Sequence, residues 1–253
     1  MNNILVFDLE VVPYDFDTTY DEETKKYLLK SAKGDAEKEE EIKMNLVFSP
    51  FTSKLVAIGM LDVEKYFDHT KYDTVCSVLV NDENKNEPLP EGTDEIEDDQ
   101  KLEKVQYIFG DEKEILNNFW ALLKERNYRH FVTFNGREFD CPYIMLRSFI
   151  QNVKPSRNLM DKSDFNFKEY HTDLMKEFSY NKNVQHGAAK KYNLDFYCKM
   201  LGVKSPKGEG VSGEMVSELY SKKQYYKLAN YCLGDVVAEA KLFRKWKEFL
   251  SNT

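Results

Sequence analysis

Residues 3–12 read Asn-Ile-Leu-Val-Phe-Asp-Leu-Glu-Val-Val, an apolar stretch rich in branched and aromatic residues that Pro13 closes. The pattern predicts a strand. Side chains alternate across a strand, so Ile4, Val6, Asp8, Glu10 and Val12 share one face and Leu5, Phe7, Leu9 and Val11 the other. Asp8 and Glu10 therefore point the same way out of an otherwise apolar element. Burying two like charges together is costly unless something positive lies between them, and a divalent cation is the simplest solution. Taken alone, the pair is explained equally well by a strand end at which both acids reach water.

The C-terminal region repeats the oddity. Residues Tyr225–Leu250 predict a long amphipathic helix, and Leu228, Cys232, Asp235, Val236, Leu242, Phe243 and Trp246 fall on one face of it. Asp235 belongs to that apolar face, one turn after Tyr231. A core aromatic and an ion-paired acid are the plain readings of these two residues. Another acid, Asp140, ends the segment Phe134–Asp140 between a short apolar strand and a helix; with Pro142 close behind, helix capping is the plain reading. Three separate segments thus each bring acids to a strand end or a buried helix face. Asp8, Glu10, Asp140 and Asp235 converging on one spot make a site for two Mg²⁺ or Mn²⁺ ions, roughly 3.5–4 Å apart in such centres. Oxygen donors alone select hard cations over zinc.

Between these segments the pattern predicts strands at Lys54–Leu61, Thr74–Val80, Val105–Phe109, Arg129–Phe134 and His171–Leu174. Helices are expected at Glu22–Ala32, Asp111–Arg126, Glu138–Ile150 and Ala188–Leu201, the last ended by Gly202, and another starts near Glu214. Strands first, then strand and helix in alternation, point to an α/β class with a mixed sheet flanked by helices. Residues 1–253 are expected to form one domain, with a charged helical segment at about 14–47 and an acidic insertion at about 81–104. Asp82–Lys104 carries ten acids and three bases of a chain whose net charge is −8, so the remainder is nearly neutral. Arg147–Gly210 holds twelve bases against seven acids, a local surplus that can meet phosphates. A hydrophobic share of 42% and a charged share of 32% suit a soluble globular chain and exclude a disordered one. No apolar run approaches a membrane span, Met1–Phe7 lacks the features of a signal peptide, and the scattered Cys76, Cys141, Cys198 and Cys232 suit a reducing cytoplasm.

Phe-Asp-Leu-Glu at 7–10, Asn-Gly-Arg-Glu-Phe-Asp at 135–140 and Tyr-Cys-Leu-Gly-Asp at 231–235 resemble, in order and separation, the three exonuclease motifs of the DEDD superfamily. The chain is similar to the predicted 3′–5′ exonucleases related to the exonuclease domain of family B DNA polymerases. None of His69, His130, His171 and His186 has an Asp five residues on, so Tyr231 and Asp235 place it in the tyrosine branch. The resemblance implies a ribonuclease H-like fold. It implies that Asp8, Glu10 and Asp235 hold one ion, that Asp8 bridges to the second, and that Asp140 supports the second through water. It further implies in-line hydrolysis of the last phosphodiester, one ion activating water and the other stabilising the departing 3′-oxygen. The resemblance also implies that Tyr231 orients the attacking water and that Asn135 and Phe139 touch the terminal nucleotide by a hydrogen bond and by packing on a base. Turn formation and core packing explain Asn135 and Phe139 equally well.

The expected activity is that of a stand-alone, metal-dependent 3′–5′ exonuclease on single-stranded DNA, working alone or with a replication or repair partner. The preference for DNA rests on the resemblance. A 3′–5′ exoribonuclease, an endonuclease of the same fold and a catalytically silent nucleic-acid-binding module are the alternatives, and four clustered acids that repel phosphate argue against the last. Lys204 and Lys207 can contact substrate phosphates, although solvated lysines are the plainer reading. Gly208–Gly213 matches Gly-x-Gly-x-x-Gly but lacks the preceding strand of a dinucleotide site and reads as a loop. Asp15 and Asp17 read as loop acids, His171 as a satisfied histidine, and Asp173 as a structural acid near the site.

Overall fold

The computed structural model describes residues 3–67, 76–82, 105–161, 167–205 and 213–251. Six strands form one mixed sheet: β1 (Ile4–Pro13), β2 (Ser53–Asp62), β3 (Cys76–Asn81), β4 (Val105–Gly110), β5 (His130–Thr133) and β6 (His171–Asp173), in the order β4-β3-β2-β1-β5-β6. β2 runs antiparallel to β1 and β3, and the β3/β4, β1/β5 and β5/β6 pairs are parallel. Ten helices accompany them among the described residues: α1 (Phe16–Thr19), α2 (Glu22–Leu28), α3 (Ala36–Asn45), α4 (Val63–Phe67), α5 (Glu112–Arg126), α6 (Asp140–Ile150), α7 (Leu174–Phe178), α8 (Leu194–Leu201), α9 (Gly213–Ser221) and α10 (Tyr225–Phe249). The architecture is the ribonuclease H-like α/β fold expected from the motifs. None of these helices is long and apolar enough to cross a membrane.

The alternation read from β1 decides how the layers divide. Leu5, Phe7 and Leu9 enter one core with Ile115, Phe119 and Trp120 of α5 and Ile144 of α6. Ile4, Val6 and Val12 enter the other with Leu228, Cys232 and Val236 of α10. Asp8 and Glu10 belong to this second face. A register shift between Glu10 and Val11 marks a bulge just after the acidic pair.

Two helix boundaries differ from the sequence expectation. The helix expected at Ala188–Leu201 begins only at Leu194, because the Asn193 side chain caps it by accepting from the Phe196 amide at 2.9 Å. The charged helix expected at Glu22–Ala32 stops at Leu28; Lys33 turns left-handed at φ 55°, and Asp35 caps a further helix at Ala36. Of the acidic insertion, residues 83–104 lie outside the described residues.

A buried ion pair ties both helices of the first face to the sheet. Arg147 of α6 donates from Nε and Nη2 to Glu112 of α5 at 2.6 and 2.5 Å, and from Nη1 to the Pro50 carbonyl at 2.7 Å. Glu112 also accepts from the Leu55 amide of β2 at 3.0 Å and from Gln151 at 2.9 Å. Every one of these partners is needed, since a buried charge without hydrogen bonds is strongly destabilising.

On the second face, Gly59 sets how closely α10 approaches. It pairs with Asp8 across the β1/β2 ladder. A Cβ at residue 59 would stand 3.0 Å from both Cys232 Sγ and Val236 Cγ1 and 3.2 Å from the Cys232 carbonyl. The missing side chain lets the α10 backbone settle over the strand pair that carries the acids. Gly59→Val is expected to lower stability by about 1–3 kcal/mol through overpacking. Urea denaturation checks this, and an unchanged midpoint would contradict the close approach.

Candidate metal centre

Asp8 and Glu10 reach the site from β1, and α10 reaches it from above. Ligand atoms of Asp8, Glu10 and Cys232 all lie within 4.8 Å of one another. The Cys232 thiol sits 3.8 Å from the Asp8 carbonyl. Helical spacing then brings Asp235, 6% exposed, to the same face one turn after Tyr231.

Asp140 arrives by a different route. β5 ends at Thr133, and the chain turns through Asn135 in the left-handed region at φ 66°. Gly136 follows so close under Thr133 that a Cβ would come within 2.3 Å of its Oγ1, which only glycine tolerates. Asp173, fully buried at the end of β6, holds this turn: its carboxylate accepts from the Asn135 and Arg137 amides at 3.0 Å each and caps α7 through the Lys176 amide at 3.2 Å. The turn delivers Asp140, 2% exposed, as the first residue of α6. The backbone amide of Leu9 in β1 favours the ionised form of both Asp8 and Asp140, so one strand position acts on two carboxylates.

The electrostatics of Asp8 are consistent with the convergence. Burial, and then the charges of Asp140, Asp235 and Glu10, hold the Asp8 carboxyl well above the ordinary range, with the Leu9 amide opposing. Asp140 is raised to about 7 chiefly by burial, with Asp173 adding to the rise and the Asp140 and Leu9 amides opposing it. The Tyr231 phenol is pushed far above its usual value by burial and by Asp235, Glu10 and Asp8, so it stays a hydroxyl and serves as a hydrogen-bond donor rather than a base. Cys232 is likewise driven up by burial, Glu10, Asp8 and Asp235, which leaves a neutral thiol and a donor set made of carboxylates. Asp140 Oδ1 is buried and accepts no hydrogen bond among the described residues. Buried acids that repel one another and leave an oxygen orphaned fit a divalent, oxygen-seeking cation.

A fifth acid sits here that the motif reading omitted. Glu239 of α10 is 0% exposed, and burial followed by Asp8, Asp140, Asp235 and Asp173 raises its carboxyl strongly. The signal was available: Glu239 follows Asp235 by four residues on the same helical face. Asp173 was legible as a nearby acid, but two of its three backbone partners, the Asn135 and Arg137 amides, are distant in sequence. Phe139 is half-buried and packs edge-on against Phe48 at 6.3 Å and tilted against Tyr143 at 5.3 Å. Asn135 shapes the turn with its backbone. Lys204 is exposed, and Lys207 lies outside the described residues together with most of the Gly208–Gly213 segment. Asp15 caps α1 through the Thr18 amide at 2.8 Å. His171 is buried, with Nε2 on Thr133 Oγ1 at 2.7 Å, and burial lowers its pKa to about 3, so it is a satisfied neutral histidine.

A family model described as "predicted 3′–5′ exonuclease related to the exonuclease domain of PolB" matches residues 61–251. The chain belongs to this family. The matched stretch takes in Asp140, Tyr231 and Asp235 and begins downstream of Asp8 and Glu10. The chain is also 33% identical over 135 residues to DNA polymerase 1 of Saccharolobus solfataricus, covering 50% of this chain and 14% of the polymerase. With DNA polymerase 1 of Sulfolobus acidocaldarius the identity is 31% over 153 residues, 57% of this chain and 16% of the polymerase. The matches thus span only a small part of either polymerase.

Removing the acceptor at the end of β6 tests the turn. Asp173→Ala leaves three backbone donors without their charged acceptor and is expected to cost about 3 kcal/mol, read by denaturant titration; a loss within error would exclude the positioning role. The pH dependence follows from Asp140. Between the unfolded Asp value of 3.8 and the folded value of about 7, the folded chain keeps a proton that the unfolded chain gives up. Stability in EDTA therefore falls as pH rises through that window, and Mn²⁺ should offset the fall because it favours the ionised form. Melting curves across the window in EDTA and in Mn²⁺ measure both trends.

Proposed function

We propose that this PolB-related exonuclease removes nucleotides from the 3′ end of single-stranded DNA with the help of two divalent cations, Mg²⁺ or Mn²⁺. The observation that supports it most is the meeting of Asp8, Glu10, Asp140 and Asp235, one set from three distant segments, in a buried place where each raises the need for a cation. Asp8, Glu10 and Asp235 hold one ion, and Asp8 with Asp140 the other. When bound, the ions neutralise the acids, lower the pKa of water and stabilise charge on the departing 3′-oxygen.

The protein's own groups do the rest. Tyr231, kept as a hydroxyl, donates a hydrogen bond that orients the attacking water. Asn135 hydrogen-bonds the terminal nucleotide, and the Phe139 ring packs against its base. Lys207 meets a backbone phosphate. The neutral thiol of Cys232 fills the space between α10 and β2 without adding a charge.

The test is a 5′-labelled single-stranded DNA oligomer incubated with Mn²⁺ or Mg²⁺. A ladder shortening from the 3′ end is expected, abolished by EDTA and reduced by at least on the order of 10²-fold in Asp8→Ala. Faster digestion of a matched RNA makes the enzyme an exoribonuclease. Cutting of a circular single strand makes it an endonuclease. Oligomer that binds but stays whole makes it a silent binding module.

A further inference from the structure

Glu239 has no place among the three motifs, yet it occupies the same interior. It is fully buried, and neither carboxylate oxygen accepts a hydrogen bond among the described residues. No lysine or arginine of the described residues pairs with it. The groups that act on it are Asp8 and Asp140, then Asp235 and Asp173, all acids. Elsewhere in this molecule buried acids are answered: Glu112 has Arg147, Gln151 and the Leu55 amide, and Asp173 has three amides. The helix explains the placement. Four residues past Asp235, Glu239 projects one turn further along the face of α10 that covers the sheet. Of the acids that raise its carboxyl, Asp8 and Asp140 weigh most, and these are the pair assigned to the second ion.

We infer that Glu239 is a fifth carboxylate of the metal centre and helps hold the ion shared by Asp8 and Asp140. This rests on the metal reading proposed above. A buried carboxylate surrounded by carboxylates, with both oxygens open, has the chemistry of a ligand to a hard divalent cation or to the water around it. Asp140 Oδ1, buried and equally without a hydrogen bond among the described residues, faces the same need. The added acid gives the second ion a partner on α10 as well as on β1 and α6, and so raises affinity where the motif acids alone offer least.

The test titrates Mn²⁺ into the full chain without nucleic acid, by calorimetry, alongside Glu239→Gln and Asp8→Ala. Glutamine keeps the shape and removes the charge. The wild type is expected to take two ions. Glu239→Gln should keep one at near wild-type affinity and bind the other about ten- to hundredfold more weakly. Glu239→Met, apolar and of similar length, is the second variant. It should lose the same affinity while melting in EDTA at or above the wild-type temperature, because it removes a buried acid without a partner. If both variants bind two ions as the wild type does while Asp8→Ala loses them, Glu239 is a buried neutral acid and only this inference falls. If the wild type binds no Mn²⁺, the metal reading falls and takes the inference with it.

Discussion

Mutual repulsion among buried carboxylates is the constraint around which this molecule is arranged. Half-buried Asp8 and buried Glu10, Asp140, Asp235 and Glu239 come from β1, α6 and α10 and act on one another. Such a cluster resists full ionisation until a positive charge enters, because each carboxylate raises the next. The surrounding structure makes the arrangement tolerable instead of relieving it. The two cores on either face of the sheet supply the apolar burial that offsets the cost, and a few backbone amides soften it. The fold holds the acids close, and in the proposed reading a cation would relieve the repulsion.

Three devices hold them there, each on a different element. The absence of a side chain at Gly59 lets α10 lie directly over the strand pair that carries Asp8 and Glu10. Asp173 grips the turn before α6, so that Asp140 starts its helix facing β1. The Leu9 amide joins the two approaches by opposing the rise of both the Asp8 and the Asp140 carboxyl. On the opposite face, the Arg147–Glu112 pair locks α6 to α5 and to β2, so the helix that delivers Asp140 is anchored from behind as well. The site is therefore supported by polar contacts as much as by packing. This explains why a chain rich in charged residues buries so many of them.

The legible part of this design lay in short-range periodicity. Alternation along β1 placed Asp8 and Glu10 on one face, and the two cores divide along that alternation. Helical spacing put Asp235 with Cys232 and Val236, and the same spacing reaches Glu239. The central strands β2 and β3 were visible as apolar runs, because burial on both faces demands them. What stayed hidden depended on partners far apart in the chain. Nothing near Asp173 announces that it will bind amides 36 and 38 residues earlier. Nothing near Arg147 announces Glu112, 35 residues away. The start of α8 was missed for a local reason, since one capping side chain at Asn193 outweighed an apolar pattern that ran further back.

By itself the sequence determined the strands and the larger helices, the faces of β1 and α10, and the three ordered motifs that resemble those of the PolB-related exonuclease family. These rest on nearest-neighbour geometry, the two-residue period of a strand and the 3.6-residue period of a helix, which the order of residues dictates. Only the tertiary structure decided that the acids meet, how deeply they are buried, that Glu239 joins them and that Cys232 stays a neutral thiol beside them. Those properties depend on the distance between elements and on the water excluded between them, and neither is set until the sheet and α10 pack.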